Sequence, residues 1–188
     1  MEEKSFNSVQ RIKRDFFSYR NGVTADLLRK GGTPFRIIFG LTLPQLNEIA
    51  LANGKDAELA RLLWKNNSTR CSMLIAPMLM PVDKFGKEEA FEWCNEIPSC
   101  EVADVLCIKL LSSTEFAEEL IKELANGDHM KRYTAMRLMM NLIRQRNDPK
   151  ELWKKIAEFE LLRNDTTIPN RLLANQIIEE FDFLLEDI

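Results

Sequence analysis

The sequence predicts an all-α fold built from paired antiparallel helices. Strand signals are nearly absent: "FRIIFG" (35–40) is the one short β-branched run, and no second run is available to pair with it. Apolar residues instead recur at helical spacing along the chain, and the breaks between them carry turn and cap chemistry. Two stretches also echo each other. "ELARLLWKNNSTRCSMLIAPML" (58–79) and "EELIKELANGDHMKRYTAMRLMMNLI" (118–143) each run an amphipathic helix into a short polar turn, a basic residue and a strongly apolar helix.

Taken in order, helices are expected near 5–20, 24–30, 44–53, 56–66, 69–79, 87–95, 99–111, 115–125, 129–146, 150–160 and 169–185. The breaks fall at Gly31-Gly32, Asn53-Gly54, Pro81, Pro98, Asn126-Gly127, Asn147-Asp148-Pro149 and Pro169. Caps are expected at Thr42 ahead of Pro44, at Ser99, at Thr114 ahead of Glu115 and at Asp148 ahead of Pro149. Helices of this length with short links suit an α-solenoid of HEAT-like antiparallel helix pairs, an α-α superhelix in which each repeat buries its faces on the next. An irregular helical bundle is the other arrangement the same segments allow. The 188 residues fit a single domain spanning 1–188.

Composition excludes several classes. Seven Gly and seven Pro are too few for a collagenous or low-complexity chain. Cys71, Cys94, Cys100 and Cys107 form no C-x-x-C pair and the chain has one His, which argues against zinc and for reduced, buried thiols. The start "MEEKSFNSVQ" does not read as a secretory signal, and no apolar run is long enough to span a bilayer, so a soluble cytoplasmic protein is expected. No Gly-rich phosphate loop and no Ser-His-Asp arrangement is present, so neither a nucleotide cofactor nor a hydrolase triad has support. The net charge of -3 is unevenly spread: residues 1–36 carry eight Lys/Arg against four acids, residues 129–146 five Lys/Arg and no acid, and residues 151–188 nine acids against four bases. Such a distribution can place a basic stripe on an acidic molecule, or amount only to solvated helix faces.

The stretch "SCEVADVLCIKLL" (99–111) is apolar almost all the way round as a helix, yet contains Asp104. A buried charge needs a partner. In "MKRYTAMRLMMNLIRQR", Arg132 points into the apolar arc, whereas Arg137, Asn141, Arg144 and Gln145 fall on the opposite side. The simplest expectation is that Asp104 and Arg132 face each other across a repeat boundary. If dry, such a pair costs ~3–5 kcal/mol to break from one side; if it lines a groove, it is free to meet a ligand.

The stretches "FGLTLPQLNEIA" (39–50) and "LARLLWKNNSTRCSMLIAPML" (59–79) resemble the AlkD-like DNA alkylation repair proteins, HEAT-like glycosylases that excise bases alkylated at ring nitrogens. The shared pattern is a Gly, a Pro beginning a helix, then Leu-Trp and a short turn into an apolar helix, and the resemblance extends from about residue 35 to 146. It implies that Asp104 stabilises positive charge developing on the sugar as the glycosidic bond breaks, that Arg132 holds a phosphate, and that the partner is double-stranded DNA. It also implies lesion-facing positions at Ser99 and Cys100, where the family has a Trp pair that this chain lacks. The 169–185 helix likewise lacks the family's Trp and is densely acidic.

Further candidates for phosphate contact are His129 at the start of the basic helix, and Lys65 and Arg70 flanking the Asn66–Thr69 turn, which with Lys131 and Arg132 could form a ridge along the backbone. Their structural alternative is ordinary turn residues. Trp64, Trp93 and the methionines at 73, 78, 80, 139 and 140 are expected in the core. The functional expectation is a DNA-binding relative of the alkylpurine glycosylases, with weak or lost base excision and no metal or cofactor. The alternative is a non-catalytic scaffold for a protein partner.

Overall fold

In the computed structural model, residues 2–146 and 150–186 are described, with side chains over 8–146 and 150–185. The described residues form eleven α-helices and two single 3-10 turns. The chain divides into two compact units, Met1–Gly86 and Lys87–Ile188.

The first unit contains α1 (Glu2–Ser18), α2 (Gly22–Lys30), α3 (Leu43–Asn53), α4 (Ala57–Lys65) and α5 (Arg70–Leu79). Asp56 caps α4 by accepting from the Leu59 amide at 3.0 Å. Its own amide donates to the Leu79 carbonyl, and Lys55 Nζ donates to that of Met80, so the start of α4 lies at the end of α5 and the two run antiparallel. All ten residues of α5 are buried, because α3 and α4 both pack on it. That explains a segment apolar on every side. The "FRIIFG" run forms no strand; Ile37 makes a single parallel bridge to Thr69 at the start of α5. Gly40 permits this path. Its φ is +78°, and a Cβ there would stand 2.1 Å from the Asn21 carbonyl oxygen.

The second unit contains α6 (Lys87–Asn95), α7 (Cys100–Lys109), α8 (Ala117–Leu124), α9 (His129–Arg146), α10 (Glu151–Leu162) and α11 (Ile168–Glu186). Its centre is α9, which contacts the other five helices and is buried continuously from Leu138 to Ile143. Ser99 caps α7 through the Val102 amide, and Thr42 precedes Pro44 at α3 as its sequence indicates. Thr114 does not cap α8: its hydroxyl donates back to the Leu111 carbonyl, and the helix begins after Phe116. The cap expected at Asp148 and the 147–149 break lie outside the described residues. Trp64, Trp93 and the five named methionines are all in the core. No helix among the described residues is long and apolar enough to cross a membrane.

Candidate functional site

Asp104 and Arg132 do not meet. Arg132 turns away from α7 and is 3% exposed, as is its partner Glu160 of α10, with Nε to Oε2 at 2.8 Å. Its remaining donors go to the Gly127 carbonyl at 2.9 Å and to Asp165. Glu160 in turn accepts from Thr166 Oγ1 at 2.8 Å and Asn170 Nδ2 at 3.1 Å. Every polar atom of this buried pair is satisfied, so Arg132 is a structural tie among α9, α10 and the turn before α11.

The partner of Asp104 is Arg137. Its Nε lies 2.6 Å from Asp104 Oδ1, in an ion pair whose N–H axis is turned off the line of contact. Tyr133, one turn earlier on α9, completes the cluster: its hydroxyl donates to Asp104 Oδ1 at 2.9 Å and accepts from Arg137 Nη2 at 3.0 Å. The wheel put Arg137 on the outer side of α9 because it assumed one buried face. With α9 enclosed by its neighbours, that side packs against α7. The Asp104–Arg137 contact is offset by 33 residues, as is that of Ser112, in the 3-10 turn after α7, with Gln145, whereas Cys107 reaches the Thr134 carbonyl at an offset of 27. The expected Asp104–Arg132 register was therefore short by more than one turn. Tyr133, Arg137, Asn141 and Gln145 recur at every fourth position as a polar ridge along α9, which is the signal that identifies them.

The electrostatics suit a held carboxylate with access to solvent. Asp104 is 40% exposed and Arg137 25%. Burial raises the Asp104 carboxyl above its ordinary range, and Arg137 and Tyr133 oppose that by favouring the charged form. Burial lifts Tyr133 to about 12, so its hydroxyl remains a donor at neutral pH. Cys100, half-buried one turn before Asp104, has its thiol raised first by burial and then by the carboxylate, which leaves it a poor nucleophile. Ser99 is engaged as the α7 cap.

The remaining candidates divide between the two units. His129 is exposed at the start of α9. Lys131 is half-buried, with its ammonium 3.9 Å from Asp128 and 5.7 Å from the Phe91 ring centre. Within the first unit, Lys65 is exposed at the end of α4, but Arg70 is buried and donates to the Leu41 carbonyl at 2.8 Å. Arg70 thus holds a loop, and the expected ridge does not include it.

A solved structure superposes on this chain with a TM-score of 0.80 over 95% of this chain and 79% of that one, at 15% identity. It is described as a new family of proteins related to the HEAT-like repeat DNA glycosylases with affinity for branched DNA structures. The chain has the HEAT-like repeat fold. At this identity the likeness is one of backbone, and it agrees with the architecture implied by the resemblance of residues 39–79. No family model and no curated protein matches the sequence. Within the HEAT-like fold of this chain, the cluster on α7 and α9 is the candidate site.

Proposed function

We propose that this protein binds DNA and that Asp104 is the group through which it would act on an alkylated base. The observation that carries this reading is a half-exposed carboxylate fixed by Arg137 and Tyr133, in a fold shared with a protein related to DNA glycosylases and having affinity for branched DNA. A base alkylated at a ring nitrogen is cationic and leaves with the glycosidic bonding pair, becoming neutral. The sugar left behind is oxocarbenium-like. A preorganised carboxylate lowers the energy of that state, water adds to the anomeric carbon, and a proton passes to solvent. Ser99 and Cys100 offer no aromatic face to the base, so excision would be weak. Phosphate contacts fall to Lys131 and His129 at the start of α9 and to Lys65, while Arg132 and Arg70 support structure.

A second reading, a scaffold for a protein partner without catalysis, is favoured by charge. Residues 87–188 hold 21 Asp/Glu against 13 Lys/Arg, a surplus that repels a polyanion. Two assays separate the readings. Wild type is expected to release methylated base slowly from alkylated duplex DNA, and Asp104→Asn to release none. Binding is measured on linear duplex and on a four-way junction. Binding to either without base release retains the DNA-binding half of the proposal and removes the catalytic half; no binding to both leaves the scaffold reading.

A further inference from the structure

A cavity lies in the same unit, between α8, α9 and α10, away from the α7-facing side that carries Asp104. It holds about 420 Å³, within the range of small-molecule sites. Ala125, Met136, Leu152, Ile156 and Phe159 form its walls. The two charged groups at its base, Arg132 and Glu160, are spent on each other and on the hydrogen bonds described above. They leave no unmet polar demand, so the deep part of an occupant should be apolar.

The mouth is different. Lys122 and Lys155, both exposed, stand there, and the cavity lining contains no acid besides the neutralised Glu160. Glu118, one turn before Lys122, is held by Lys150 at 2.5 Å and Arg146 at 3.2 Å, and among the described residues the Lys122 ammonium forms no ion pair within 4 Å, its charge meeting that carboxylate only at longer range. The Lys155 ammonium has only a loose contact to Glu151, at 3.8 Å. In a unit with a formal surplus of eight negative charges, an apolar cavity with a positive mouth stands out.

We propose that this cavity is a binding site for a small amphipathic organic anion, with its apolar body against Met136, Ile156 and Phe159 and its anionic head between Lys122 and Lys155. This does not depend on DNA binding or base excision.

The test uses the full chain with anilinonaphthalene sulfonate as a fluorescent probe, and decanoate and decyltrimethylammonium as competitors with the same tail and opposite charge. The expected result is saturable enhancement at one site, displacement by decanoate and none by the cation. Lys122→Gln combined with Lys155→Gln should weaken probe and decanoate about tenfold, and Ala125→Trp, which fills the cavity, should abolish both. Both lysines are exposed, so the double variant keeps its helicity by circular dichroism. Absence of probe binding, equal displacement by the two surfactants, or unchanged affinity in either variant overturns the proposal. A groove made for an apolar face of a partner protein would give the equal displacement, since charge selectivity for a small anion would be missing.

Discussion

The two arginines of α9 that lie five residues apart show how differently one side chain can be used. Arg132 is sealed against Glu160, so removing one partner strands a charge where water cannot reach. Arg132→Met should cost ~3–5 kcal/mol in chemical denaturation, and adding Glu160→Met should recover most of that. A double variant no more stable than the single would refute this account. Arg137 instead tunes a partly exposed acid. Arg137→Met should raise the Asp104 pKa further, and Tyr133→Phe should raise it by less, following the order of the two influences; carbon-detected NMR titration of the carboxyl reads both. Asp104 holds its proton in the folded chain above the ordinary 3.8, so the folded state binds more protons than the unfolded state just above that pH. This group therefore makes stability fall as pH rises from 3.8 through the higher folded value, and Asp104→Asn should remove that fall from urea midpoints taken upward from pH 3.8.

At the scale of the element, the site depends on where α9 begins. Asp128 accepts from the amides of Met130 and Lys131 at 2.9 and 3.0 Å, fixing the first turn that carries Tyr133 into register with α7. Burial opposes its charge, but these two amides hold the carboxyl below its ordinary range. The cap's contribution is thus fully present above pH 3.8 and lost as pH falls through the lower folded value. Asp128→Ala should cost about 1 kcal/mol at neutral pH and nothing in strong acid, by thermal unfolding across pH. Helix positions were legible in the sequence to within a few residues, because spacing, caps and breaks are local properties. The α9 segment misled in one respect. A helical wheel assigns an inside and an outside, and a helix enclosed by five others has hardly any outside, so Arg137 and Asn141 were placed in solvent when they face neighbours.

For the molecule as a whole, a net charge of -3 conceals a division. Residues 1–86 carry 13 Lys/Arg against eight Asp/Glu, a surplus of five positive charges, and residues 87–188 carry the acid excess. Attraction to a polyanion depends on local potential more than on the total. If Lys65, Lys131 and His129 make the proposed phosphate contacts, log affinity for duplex DNA should fall against log salt with a slope of about -2 to -3. Lys65→Ala and Lys131→Ala should each reduce that slope by about one. A salt-independent affinity would exclude phosphate contacts altogether.

The sequence alone determined the helices, the all-α class, the buried status of Trp64, Trp93 and the methionines, and the fact that Asp104 needs a cation. These follow from short-range periodicity and from the cost of burying charge, and both are readable one segment at a time. Which cation answers Asp104, and the cavity between α8, α9 and α10, were decided only when the helices packed. The axial offset between two packed helices is set by the side chains of every neighbour that encloses them, and no single segment records that sum.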